Sequence, residues 1–280
     1  FGFITNLEDS TDNNVIDAVV SHEMAHQWWA HQVVGATMQG ATMFSESFAE
    51  YSSLMTMKSI AKTPMKMREF LKYDHDRYLR GRSSEIENEQ PLYKVENQMH
   101  IHYGKGSVIL YALQDYIGED KVNLAMKNFL EEFRYKKPPY PTSLDFMKHL
   151  EPLVPDSLNY IIKDWFKEIT LYDNRMTEAT YKELENGKYE VTMNIESAKI
   201  KADTLGTETK VEIADWIDLG LFADEDEEEL IFEKRVLIDQ AEMIFTFIVD
   251  TIPAKAAIDP RWLLIDRVYK DNIKSVKAFE

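Results

Sequence analysis

The stretch His22-Glu23-Met24-Ala25-His26 lies inside a run from Asn13 to Val34 whose periodicity predicts one helix, closed by Gly35. Val15, Val19, His22, His26 and Trp29 recur at spacings of four, four, four and three, which sets both histidines in an apolar stripe. Residues four apart stand one helical turn above each other, so the two imidazoles can converge on one metal ion. Glu23 sits about 100° around the helix from His22, out of reach of the same ion. Its position suits a general base, a carboxylate that takes a proton from water as the water attacks a carbonyl and returns it to the leaving amine.

A catalytic zinc takes three protein ligands and keeps a fourth position open. The chain has no cysteine, so His and carboxylate must supply all three. Glu46 is the candidate, at the start of a second helical pattern running from Ser45 to Ala61. Nineteen residues, Gln27 to Ser45, separate it from His26, room for one helix to end and the next to turn its first residues back to the metal. Glu50, one turn further on the same face, is placed to accept the free ring N–H of a ligating histidine.

Length and charge bound the rest. At 280 residues and 44% hydrophobic content the chain can fill two ordinary cores. A net charge of −17 disfavours nucleic acid and anionic membrane surfaces as partners. No apolar run reaches the length of a membrane span, and no basic-then-apolar leader is present. The first residue is Phe1, which reads as a piece of a longer protein.

Along the chain, Phe1 to Leu7 reads as a weak strand, with Ser10, Thr11 or Asp12 as caps for the first helix. Thr63-Pro64 closes the second helix and opens a third that Gly81 is expected to end. Arg82 to His102 reads as a surface loop; helices follow at Tyr103 to Ile117, stopped by Gly118, and at Glu119 to Tyr135. A three-proline connector, Lys136 to Pro141, leads to Thr142 to Leu150, where Thr142 and Asp145 form a capping-box pattern, and to Ser157 to Ile169. His31, His100 and His102 are spare histidines near the expected cleft, while His75 and His149 read as surface residues.

The period then changes from helical to alternating. Tyr181 to Glu185 faces Lys188 to Ile195 across the hairpin signal Asn186-Gly187. Further strands are expected at Lys210 to Phe222, Leu230 to Ile238, Met243 to Val249 and Trp262 to Val268. The fold class is α+β: a helical domain over residues 1–173, then an antiparallel β-sandwich of about seven strands over 174–280. The six carboxylates from Asp224 to Glu229 read as a solvated hairpin tip.

Three ordered blocks carry a family resemblance: His22-Glu23-x-x-His26-Gln27-Trp28-Trp29, then Glu46-x-Phe48-Ala49-x-Tyr51, then Tyr103-x-Lys105-Gly106. Together they resemble the aminopeptidase N family of zinc metallopeptidases, which includes leukotriene hydrolase. The resemblance implies a thermolysin-like catalytic domain and one zinc ion on His22, His26 and Glu46. It implies Glu23 as general base, Tyr103 as stabiliser of the tetrahedral intermediate, and peptides as substrates. The β-rich tail resembles the small β-sandwich that follows the peptidase domain in that family.

Two departures stand out. The family's usual spacer before the glutamate is eighteen residues, one fewer than here. The Gly-x-Met-Glu-Asn motif that recognises the substrate's free amine is absent, so aminopeptidase action is implied by kinship alone, and the fragment is expected to be inactive by itself if its cleft is incomplete. The Gln27 to Val33 stretch is also similar to bacterial members in which such a domain follows permease-like membrane segments. This leaves a second reading, a non-catalytic zinc-binding interaction module attached to a membrane partner.

Overall fold

The computed structural model describes residues 14–61 and 63–279. The expected strand at Phe1 to Leu7, the caps at Ser10 to Asp12 and Asn13 itself lie outside the described residues. The chain divides into two compact units, and α-helices and antiparallel to mixed sheets make it α+β.

In the first unit, α1 (Asn14–Ala25) stops well short of Val34. The chain leaves it through tight turns in which Gln27 N–H donates to Met24 O and Ala30 takes a positive φ of 95°. Packing overrides the helical period here: the turn buries both Trp29 and Val33, and the Trp29 indole N–H reaches Ser52 Oγ at 3.2 Å. The expected apolar stripe is not a core face either. Val15 is 58% and Val19 42% exposed, and α1 approaches its neighbour through small residues, Ser53 Oγ donating to Ala18 O at 2.8 Å.

The second helix begins as a π-helical turn, Met43–Ser47, before regular α2 (Phe48–Ile60). After the 3-10 turn Pro64–Lys66, α3 runs Met67–Ser84 and passes straight through Gly81. That glycine serves packing instead of termination: a Cβ there would sit 2.2 Å from the Cβ of His100. The segment expected as a loop, 82–102, is partly ordered; Leu92 and Val95 are fully buried, and a second π-helical turn, His100–Lys105, leads into α4 (Gly106–Ile117). Gly118, at φ 101°, stops α4, and α5 (Glu119–Phe133) follows. At α6 (Ser143–Leu150) Asp145 accepts from both the backbone N–H and the hydroxyl of Thr142. His75 lies on α3 but is 1% exposed, against expectation, because it shares the one buried face of α3 with Leu71, Asp74 and Tyr78.

The core of this unit is aromatic. Phe48 lies 4.7 Å from Phe146 and 5.0 Å from Trp29, and Phe44 lies 4.9 Å from Phe129, centroid to centroid. Each buried Phe contributes about 2–3 kcal/mol from its removed area, and each ring pair about 0.5–1.5 kcal/mol more. This cluster fixes the start of α2, and with it the π turn that precedes it.

The second unit holds residues 63–68, 170–202 and 208–280. Its strands are β1 (Ile169–Glu183), β2 (Tyr189–Ala202), β3 (Glu208–Val211), β4 (Asp215–Phe222), β5 (Leu230–Ile238), β6 (Glu242–Val249), β7 (Lys255–Ile258), β8 (Ile273–Ser275) and β9 (Lys277–Ala278). One sheet has the order β3-β2-β1-β9 with β6 also on β2; the other has the order β5-β4-β7-β8. Nine strands thus replace the expected seven among the described residues, and β9 joins β1 in parallel. β1 starts well before Tyr181, while Gly187 (φ 77°) makes the expected turn into β2.

Trp262 to Val268 is not a strand. Asp259 accepts from the backbone N–H groups of Leu263 and Leu264, and Asp266 from those of Val268 and Asn174. Side-chain acceptors thereby take the donors a ladder would have used. The acidic run joins β4 to β5, and its Glu227 is not simply solvated: it pairs with Arg68 at 2.6 Å and Lys255 at 3.0 Å.

Candidate metal centre

His22 and His26 come from α1 and the turn that leaves it; Glu46 comes from the Met43–Ser47 π turn. One donor atom from each of the three lies within 4.8 Å of the others. Nε2 of His22 is 3.5 Å and Nε2 of His26 3.8 Å from the same oxygen, Oε2 of Glu46. Ligands at about 2.0–2.2 Å around a tetrahedral ion are separated by roughly 3.3–3.5 Å, so the His22–Glu46 pair already has that spacing and the His26 ring has to draw inward to share an ion with them.

The other ring nitrogen of each histidine is committed elsewhere. Nδ1 of His26 is 3.1 Å from Trp29 O, a contact that exists only because the chain turns after Ala25. Nδ1 of His22 is 2.6 Å from Oε2 of Glu50, a close ionic contact with imperfect hydrogen-bond alignment. Both rings therefore aim Nε2 inward.

Electrostatics follow from this crowding. Burial opposes the protonation of His22, yet the Glu46 and Glu50 carboxylates outweigh it and raise its pKa to about 9. Burial would raise the Glu46 pKa, but hydrogen bonds from His22 and Tyr103 bring it down to about 2. Tyr103 belongs to the His100–Lys105 π turn, its ring centroid 5.7 Å from that of His22, and its hydroxyl reaches Glu46. Burial, aided by Glu46, pushes its phenol above the ordinary range. Glu23, on α1 beside His22, is exposed to solvent.

Of the spare histidines, His31 is exposed, whereas His100 and His102 are buried. His100 stacks on Tyr78, and burial holds the His102 pKa down at about 4, so its ring is neutral. Sequence reasoning missed three neighbours of the site. Arg77 on α3 places its guanidinium carbon 4.2 Å over the Tyr103 ring centroid. Asp74, one turn earlier and 2% exposed, accepts from Ser107 at 2.8 Å; burial and the nearby Glu50 charge raise its pKa well above the carboxylate range. Lys105, which the sequence left without a role, is 1% exposed, its ammonium 5.4 Å from the Tyr78 ring centroid. No sequence spacing ties α3 to the π turn, so no signal in the sequence pointed to Arg77 or Asp74.

The Peptidase family M1 domain matches residues 4–165, more than half of the chain, a range within which the five expected site residues fall. The chain belongs to peptidase family M1. Among curated M1 relatives, probable aminopeptidase 1 of Sulfurisphaera tokodaii is 25% identical over 157 residues, covering 54% of this chain and 19% of that protein. Tricorn protease-interacting factor F2 of Thermoplasma volcanium is 29% identical over 124 residues, covering 41% and 16%. The M1 chain therefore spans less than a quarter of the length of these relatives. A solved structure of Legionella pneumophila aminopeptidase A, in complex with aspartic acid, shares the fold with a TM-score of 0.52 at 16% identity, over 94% of this chain and 27% of that one. M1 peptidases are zinc metallopeptidases, and the donor set described above fits that metal.

Proposed function

We propose that this protein hydrolyses peptide bonds, in the manner of an aminopeptidase, with His22, His26 and Glu46 holding one zinc ion. The observation that carries the reading is the convergence of both Nε2 atoms on one Glu46 oxygen while each Nδ1 is occupied elsewhere. Zinc held there supplies Lewis acidity, polarising a carbonyl and lowering the pKa of a bound water.

The remaining work falls to side chains. Glu23 takes the proton of the attacking water and passes it to the departing amine as the C–N bond breaks, leaving a carboxylate and a free amine. Its exposure on the helix carrying His22 leaves it open to substrate. Tyr103 keeps its proton at neutral pH and donates its O–H to the oxygen on which charge develops. Glu50 holds the His22 ring in its ligating orientation.

The test is metal analysis combined with turnover of fluorogenic aminoacyl substrates. The wild type is expected to bind one zinc per chain, with His22→Ala and Glu46→Ala losing it. Glu23→Gln is expected to keep the zinc and lose about 10²–10⁴-fold in turnover. Turnover unchanged in Glu23→Gln contradicts the mechanism. Zinc binding with no turnover by the full-length protein favours the non-catalytic interaction module.

A further inference from the structure

Arg77 is anomalous among the cations of α3. Its neighbours pair with carboxylates: Lys72 and Arg80 with Asp76 at 2.9 and 3.4 Å, and Arg82 with Glu89 at 2.8 Å. Asp74, one turn before Arg77, accepts from the Ser107 hydroxyl through Oδ2, while among the described residues its Oδ1 is buried without a hydrogen-bond partner and makes no ion pair with Arg77 within 4 Å. Arg77 is half-buried and forms no ion pair within 4 Å among the described residues, in a chain carrying 49 acidic residues. A partly desolvated guanidinium without an anion is costly unless a ligand supplies one.

Its position says where the anion would come from. The guanidinium lies on the face of Tyr103, 4.2 Å from the ring centroid, and the hydroxyl at the far end of that ring reaches Glu46. One aromatic ring therefore separates the cation from the candidate metal ligands. Stacking holds the guanidinium plane and leaves N–H edges free for bidentate pairing with a carboxylate.

We propose that Arg77 binds a carboxylate of the substrate, one or two residues from the bond that is cut, at about 3.5 Å of chain per residue. The inference rests on the peptidase reading of the same site. The carboxylate is either the C-terminus of a short peptide or an acidic side chain; both present the same planar anion to the guanidinium. A role confined to packing against Tyr103 gives no dependence on the charge of the ligand.

The experiment measures binding, so that it reports separately from turnover. Zinc-loaded protein carrying Glu23→Gln is titrated calorimetrically with Ala-Ala, with Ala-Ala amide and with Ala-Glu amide. At least one carboxylate-bearing peptide is expected to bind about tenfold tighter than Ala-Ala amide. The net charge of −17 works against that preference, so it reports a local cation. Preference for Ala-Ala identifies the C-terminal carboxylate, and preference for Ala-Glu amide identifies the side chain. Arg77→Met is expected to erase the preference and Arg77→Lys to keep part of it, with zinc stoichiometry intact in both. Equal binding of all three peptides, or binding of none, overturns the proposal, as does a preference that survives in Arg77→Met. Absence of turnover in the full-length protein that retains Glu23, alongside an intact carboxylate preference, counts against the peptidase reading alone.

Discussion

At the scale of single residues, the candidate metal site depends on what lies behind the ligands. A histidine ring free to rotate about its χ angles presents Nε2 to the metal only part of the time, and a fixed Nδ1 partner removes that loss. His26 has a backbone carbonyl for this purpose and His22 has Glu50. Glu50→Ala is therefore expected to weaken zinc binding about 10–100-fold in competition with a chelator, with stoichiometry preserved at saturating metal. Unchanged affinity would remove Glu50 from the site. Gly81 makes a different kind of demand. Alanine there must displace His100, whose Cβ lies 2.2 Å from the new methyl, so Gly81→Ala is expected to cost about 1–3 kcal/mol or more in denaturant melts. The histidines and Glu23 were legible because their spacing is local. Arg77 and Asp74 were not, because their proximity to Tyr103 and Glu50 is created by packing alone.

At the scale of elements, two π-helical turns matter most, Met43–Ser47 carrying Glu46 and His100–Lys105 carrying Tyr103. Such turns cluster at functional sites because the extra residue per turn re-aims side chains. Hydrophobic periodicity sees only that these stretches are helical, so the sequence placed both helices and missed the local geometry that aims their site residues. The turns are tied together: Ser47 Oγ donates to His102 O at 2.6 Å, fully buried, and Gly106 packs directly on Ser47. Ser47→Ala leaves a buried carbonyl without its donor and is expected to cost about 1–3 kcal/mol of stability. Alanine at Gly106 would place its Cβ 2.3 Å from Ser47 Oγ and 2.7 Å from Ser47 Cβ. Gly106→Ala is accordingly expected to destabilise strongly, and Ser47→Gly to relieve part of that cost. The resulting double-mutant cycle should be non-additive by about 0.5–3 kcal/mol; additivity would show that the two turns do not press on each other.

At the scale of the whole molecule, the change from helical to alternating period made the α+β class readable, and the Asn186-Gly187 turn made one hairpin readable. The irregular end of the second unit was not readable. An apolar run such as Trp262 to Val268 looks like a strand until buried aspartates claim its backbone donors: Asp259 lies outside the run, and Asp266 within it reads as an ordinary polar position. Those aspartates give the unit a distinctive pH response. Burial, only partly offset by backbone N–H groups, raises Asp259 and Asp266 to about 7. An unfolded aspartate titrates near 3.9, so between about pH 4 and 7 the folded chain holds protons that the unfolded chain releases. Folding stability contributed by these groups is thus fully present below about pH 4 and is lost as pH rises through 7. Asn at either position cannot titrate; it pays a constant cost for one lost acceptor. The stability of the wild type relative to Asp259→Asn, or to Asp266→Asn, is expected to fall steadily from pH 4 to 7 and to level off above about 8. Taking the difference at each pH cancels the background from the other carboxylates. A difference that is flat across the window, or that rises with pH, would mean that both aspartates are already ionised in the fold.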